Sequence, residues 1–330
     1  MTIDRQPDNE SQTGRGREAK DPRQIPAVGW KDVLWRTYKE INDRNLFLVA
    51  GGVTYYILLA LFPALLALVF IYGLVFDRTQ VEKQVAAISG LLPGSAQQLI
   101  ASELHQIVSS SGGALSIGAV VSVLFALWSA SRGMSGMMSG LDIAYGETET
   151  RSFIRFNLIA LVLTLGLIVG GVVVIALVAV LPAVTAASQG GGGVLKWVAL
   201  IIEWPVLFVL MMFLMAVLYR YAPDRRAPQW RWASPGGIIG AALWIIGSIL
   251  FSIYVGNFGN YNATYGSLGA AVVLLTWLYL SAFVVLLGAQ INTELERQTT
   301  EDTTTSGGKP MGQRGAFAAD TIGPSYDSHR

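Results

Sequence analysis

A chain of 330 residues that is 52% hydrophobic and only 14% charged is not an ordinary soluble domain. With no cysteine it has no disulfide, no thiolate nucleophile and no Cys-ligated metal. The formal net charge of +1 says little, because the cations are sorted along the chain rather than present in excess.

Residues 1–29 open the chain with sequence rich in Asp, Gln, Arg, Gly and Pro and without an apolar period, which reads as a disordered cytoplasmic tail. Over 30–44, Leu34, Tyr38 and Ile41 recur at helical spacing while Lys31, Arg36, Lys39 and Arg44 fall on other faces. That pattern predicts an amphipathic helix at the cytoplasmic membrane surface, anchoring the first span. Six long apolar stretches come next, at 46–76, 115–131, 156–181, 194–219, 235–255 and 268–291. Each suffices to cross a hydrocarbon core of ~30 Å as a helix, which takes roughly 17 to 25 residues. Backbone groups in lipid must be paired within their own segment, so the prediction is an all-α polytopic protein. The first stretch comes after 45 largely polar residues and reads as an uncleaved signal anchor. Between the first and second spans, 77–113 predicts a helical hairpin at the outer mouth, broken at Pro93-Gly94. Residues 297–330 again read as a disordered cytoplasmic tail, leaving 30–296 as the membrane domain.

The 23 Lys and Arg residues set the orientation. Those before the first span, between the second and third, between the fourth and fifth, and after the sixth all belong to one side. Only Arg78, Lys83 and Lys196 fall on the other. By the positive-inside rule both termini are cytoplasmic, as an even number of spans requires.

Polar and special residues punctuate the spans. The first carries Thr54-Tyr55-Tyr56 and Leu61-Phe62-Pro63, and the second ends in Trp128-Ser129-Ala130-Ser131. The fourth exits through Tyr219-Arg220-Tyr221-Ala222-Pro223, and the fifth enters through Trp232-Ala233-Ser234-Pro235-Gly236. Then come Tyr261-Asn262-Ala263-Thr264-Tyr265-Gly266-Ser267, Trp277-Leu278-Tyr279 and Leu287-Gly288-Ala289-Gln290-Ile291-Asn292. In order and spacing this resembles the YihY/virulence factor BrkB family of bacterial inner-membrane proteins, over about residues 30 to 296. Asp142 and Gln290 depart from the pattern, standing where relatives usually have Asn and often have Glu. The resemblance implies a six-helix integral membrane protein associated by name with serum resistance, without a settled biochemical activity. Such relatives have also carried the label ribonuclease BN. Metal-dependent hydrolysis needs several convergent His, Asp or Cys ligands. The chain has two histidines, His105 in the outer loop and His329 in the tail, and no such cluster in sequence. We therefore expect no metal, no cofactor, no nucleic-acid partner and no enzyme activity.

Six residues stand out as candidate pathway or binding positions. Pro63 removes a helical hydrogen bond in the first span and predicts a kink, with the Tyr55 and Tyr56 hydroxyls on nearby turns. Asn262 and Tyr265 sit in a short connection free of Lys and Arg, which is either a tight turn or a re-entrant segment. Glu203 is the one carboxylate deep in a span, about nine residues in, or ~13 Å at 1.5 Å per residue. An intramembrane acid is a functional-site hypothesis by default. Gly136-x-x-x-Gly140, Gly166-x-x-x-Gly170 and Gly236-x-x-x-Gly240 provide small-residue faces for packing within the chain or for a homo-oligomer. The favoured function is movement of a small solute or lipid-like molecule across the inner membrane, with membrane lipids as partners. The alternative is a non-transporting envelope-organising or virulence factor.

Overall fold

The computed structural model describes residues 14–75, 117–187, 194–257 and 267–329, and among these it is all helical, without a strand. The helices are α1 (Ala27–Asp43), α2 (Leu46–Val75), α3 (Ile117–Tyr145), α4 (Phe153–Ala187), α5 (Val194–Tyr221), α6 (Trp230–Asn257), α7 (Ser267–Glu296) and the short α8 (Phe317–Asp320). From α2 to α7 each helix packs on the next in chain order, and α7 returns to α2 and α3. The six therefore close into a bundle around α7 and α3. The stretches Phe153–Val174, Trp230–Gly256 and Ala271–Glu296 are long and apolar enough to cross a membrane. A fourth arises if α1 and Leu46–Leu61 are taken as one span, although they meet at 64°. Asn45 makes that corner with φ of 52°, a left-handed conformation that Asn tolerates better than most residues.

Glycines on α3 explain the tight α2–α3 contact. A Cβ on Gly133 would meet Ala60 at 2.8 Å, and one on Gly136 would meet Tyr56 at 2.7 Å. Without side chains there, the two helices approach closely enough for dispersion to hold them, since lipid offers no hydrophobic drive for association. Leu46, Ala50, Met138, Leu141, Tyr145 and Leu286 form the buried core of this half. Outward faces remain apolar, with Leu48, Leu158, Val162 and Ile253 all more than half exposed in the protein alone. A surface of this kind suits lipid and not water.

In α1, Leu34 and Tyr38 of the apolar stripe are exposed, while Asp32, Val33, Arg36 and Thr37 are turned inward. One expectation is corrected. Residues 14–26 and 297–329, read from composition as disordered, hold defined positions against α1 and the end of α7. Thr300 N–H donates to Arg17 O at 2.7 Å, and Gly323 N–H to Arg297 O at 2.9 Å. Backbone and side-chain hydrogen bonds, which composition does not reveal, supply what the tails lack in apolar surface. Residues 1–13 and the expected hairpin over 77–113 lie outside the described residues.

Candidate functional site

Asn292 forms the joint between α6 and α7. Pro235 has no N–H, so the first turns of α6 are short of a hydrogen bond. Gly236 N–H donates to Asn292 Oδ1 at 2.7 Å, and Asn292 Nδ2 donates to Ala233 O at 3.1 Å. A side-chain amide thus stitches the backbone on both sides of the proline. This approach depends on Gly236 and Gly288, where an added Cβ would collide with the facing backbone or with the Tyr219 hydroxyl. Tyr219 itself donates to Val285 O at 2.9 Å, tying α5 into the same joint.

Beyond Asn292 the last turns of α7 enter a layer of buried charge. Arg36 Nε donates to Glu294 Oε2 at 2.6 Å, and its Nη2 reaches Gln298 Oε1 at 2.8 Å. Arg297 Nη1 donates to the other Glu294 oxygen at 2.8 Å. Arg225 grips Glu296 in bidentate fashion at 3.0 and 2.6 Å, both side chains being fully buried. The Arg225 guanidinium also lies over the Tyr145 ring, 4.9 Å from its centroid. Burial pulls the Arg36 guanidinium below its ordinary value even with Glu294 beside it. Burial likewise lowers Arg17 to about 10, with the like charge of Arg36 adding to the effect. Asp32 pairs with Arg15 at 3.0 Å and accepts from Tyr326 N–H at 2.8 Å, joining residues 14–19 to the far end of the chain.

A second polar cluster sits where α3 ends. Asp142 accepts from Asp224 N–H at 2.7 Å through Oδ1, while its buried Oδ2 has no hydrogen-bond donor. Burial raises its pKa to about 7, against the opposing pull of Asp224 N–H and Arg151. Gln290, the other departure from the family pattern, also keeps a buried, unbonded oxygen, Oε1. Arg151 is committed to Glu149 at 2.6 Å, and Asp224 is held by the Thr150 N–H and hydroxyl at 2.6 and 2.5 Å.

Two cavities flank α4. One, of about 330 Å³, lies between α2, α3 and α4 and is lined by Ile57, Ala60, Ala64, Met134 and Thr164. The other, of about 700 Å³, is a groove between α4 and α5, with Leu158, Val162, Gly166 and Phe213 along its body. Arg151, Arg155, Arg220 and Arg225 line one end of it. Leu167 and Leu218 line both cavities and so stand between them.

Of the residues singled out in the sequence, Tyr55 and Tyr56 are 59% and 48% exposed, with their rings edge to face at 5.9 Å. Neither lines either of these two cavities. Pro63 lies within α2, between Leu61 and Ala64, which do line the smaller cavity. Glu203 falls in α5 two residues before an internal proline, Pro205, but its side chain lies outside the described residues, as do Asn262 and Tyr265. Of the three whose side chains are described, Tyr55 and Tyr56 touch each other, while Pro63 lies about two turns further along α2. Sequence reasoning missed Arg225, Glu296, Arg36 and Glu294. The visible signal was two acids and an arginine continuing a helix that is apolar up to Ile291. Of the glycine pairs, Gly136 and Gly240 are packed within the chain, against Tyr56 and Met215, whereas Gly166 faces open space.

Comparison with known proteins agrees with this architecture. No solved structure matches the chain. A ribonuclease-like protein named YfkH from Bacillus subtilis is 33% identical over 76% of this chain and 90% of its own length. A UPF0761 membrane protein from Idiomarina loihiensis is 27% identical over 81% of this chain and 95% of its own length. Another from Aeromonas salmonicida is 30% identical over 82% of this chain and 90% of its own. The family model described as virulence factor BrkB matches residues 37–311, and the chain belongs to that family as a multi-pass bacterial membrane protein.

Proposed function

We propose that this protein is a six-helix inner-membrane factor, with both termini cytoplasmic, that moves or helps to move a small lipid-like molecule across the bilayer. The observation that carries the reading is the pair of cavities on either side of α4, separated by Leu167 and Leu218. One is bounded by three helices and the other opens on a face of exposed apolar residues. A shift of those two leucines would join them. Six spans are supported by the lengths of α2 to α7, each 28 to 35 residues. At 1.5 Å per residue each is at least about 42 Å long, enough to cross the core and reach both interfaces.

The reading is of a non-enzyme without cofactor or nucleic-acid partner. Setting the ribonuclease-like name aside rests on the sequence, which has two histidines and no cluster of metal ligands. Self-association would use Gly51 or Gly52, whose faces are open. The second reading, a non-transporting envelope-organising factor, draws on the family's description as a virulence factor.

Topology is tested by reporter fusions. Those after Glu147, Ala227 and Thr304 should report cytoplasm, and those after Gln97, Gln189 and Asn260 the outer face. Transport is tested by lipid and metabolite profiling of a deletion strain, with translocation of the affected species then measured in proteoliposomes. Accumulation of one species on one leaflet, relieved by the purified protein, is expected. An unchanged profile together with passive proteoliposomes would leave the envelope-organising reading in its place.

A further inference from the structure

We propose that the α4–α5 groove binds a membrane lipid through its headgroup phosphate, held between Arg155 and Arg220, with an acyl chain lying along Leu158, Val162 and Gly166. The inference rests on the membrane placement given above and names the ligand chemistry of the larger cavity. Its polarity is divided end to end. The arginines gather where α4 begins and α5 ends, and the remainder is apolar. From Arg155 to Gly166 is 11 residues of helix, about 16 Å at 1.5 Å per residue. That matches half of a hydrocarbon core of ~30 Å, the depth of one leaflet. The volume of about 700 Å³ lies in the range of roughly 300 to 1,000 Å³ usual for ligand sites.

Charge complementarity identifies the headgroup. Of the four arginines at the mouth, Arg151 is taken by Glu149 and Arg225 by Glu296. The one acid lining the groove, Asp224, is occupied by Thr150 and faces Arg151 at 3.6 Å. Among the described residues neither Arg155 nor Arg220 forms an ion pair. Arg220 is nevertheless fixed in place. Its guanidinium lies 4.7 Å from the Trp230 ring centroid, Nη1 donates to Pro228 O, and its buried Nε has no partner. A planar cation stacked on an aromatic ring keeps its edge free for a phosphate oxygen. This fixed cation and the exposed Arg155, at the water boundary above a lipid-deep apolar trough, fit a phosphodiester headgroup. Tyr221 and Trp230, both partly exposed there, are the amphipathic rings favoured at that level.

The test uses the full-length protein in micelles, with native mass spectrometry reading retained ligand. Phosphatidylglycerol should be retained, while diacylglycerol with the same chains and inorganic phosphate alone should not. The Arg155→Gln/Arg220→Gln pair should weaken retention at least about tenfold, as expected for loss of charge-assisted hydrogen bonds. Gly166→Trp, at a position where an added Cβ meets nothing within 4 Å, should block the trough and give a similar loss with both arginines intact. Arg231→Gln, whose cation does not line the groove, is the control. If the double variant fails to fold, Arg155→Gln and Gly166→Trp carry the test. Equal retention of diacylglycerol, displacement by phosphate alone, or full retention in these variants would overturn the site. Lipid lost in the variants while translocation persists would remove this site from the transport path but leave transport standing. Lipid retained by a protein that translocates nothing would defeat the transport reading and leave the site.

Discussion

The fully buried Arg225–Glu296 pair gives the most demanding test of how the polar end is held together. In Arg225→Met, Glu296 keeps the Thr303 hydroxyl at 2.6 Å but loses both guanidinium bonds, and its charge stays buried. In Glu296→Leu, the Arg225 guanidinium is left against the Tyr145 ring with no carboxylate. Breaking a buried pair from one side costs about 3–5 kcal/mol, because the remaining ion is uncompensated. The double variant Arg225→Met/Glu296→Leu removes both desolvation penalties, so it should lie within about 2 kcal/mol of the parent. The unpaired Thr303 hydroxyl accounts for about 1 kcal/mol of that difference. Heating in mild detergent, with the surviving monomer measured by fluorescence-detected gel filtration, should therefore rank the double variant above both singles. A coupling of at least about 4 kcal/mol is expected where unfolding is reversible. If the double variant loses as much as the two singles together, the pair is not a unit and the reasoning about buried charge here is wrong.

Asp142→Asn should remove a pH dependence. With its folded pKa raised from 3.8 to about 7, the wild-type carboxyl binds its proton more tightly folded than unfolded. Its stabilising contribution is full below pH 3.8 and is lost as the pH rises towards 7. The Asn variant should show a flatter stability profile over that window and greater heat resistance at pH 8, by differential scanning fluorimetry; an unchanged slope would mean that Asp142 titrates normally. Asn292→Ala should cost about 2–6 kcal/mol, since it strands Gly236 N–H and Ala233 O at about 1–3 kcal/mol each. Proteolysis near the start of α6, read by mass spectrometry, should appear in that variant first. Equal protection in variant and parent would show that the α6 turns do not depend on the amide.

The membrane helices were legible because apolar runs add up locally, and each was visible without knowledge of its neighbours. The positions of Pro63, Pro235 and the glycines were legible in the same way. What Pro235 required was not, because its partner Asn292 lies on another helix. Buried ion pairs were hidden for the same reason: Arg225 and Glu296 are 71 positions apart, and Arg36 and Glu294 are 258 apart. Composition misjudged residues 297–329 because their order comes from short-range polar hubs. Asp302 illustrates this. Burial opposes its charge, yet hydrogen bonds from Thr304, Ser306 and Lys309 outweigh that and hold its pKa at about 2. Arg155 and Arg220 were read only as topology-setting cations, because nothing local distinguishes a spare arginine from a paired one.

The contact between Arg36 and Glu294 also imposes an order of events. α1 leaves the ribosome long before α7 exists, so its inward face, with Asp32 and Arg36, first meets water and lipid headgroups instead of a carboxylate. Only when α7 has been inserted and residues 297–329 have been released can those charges leave solvent together. The helix that starts the folded region is thus completed by the segment that ends it. A chain interrupted before Glu294 would keep the Arg15–Asp32 pair but leave Arg36 without its carboxylate at the membrane surface.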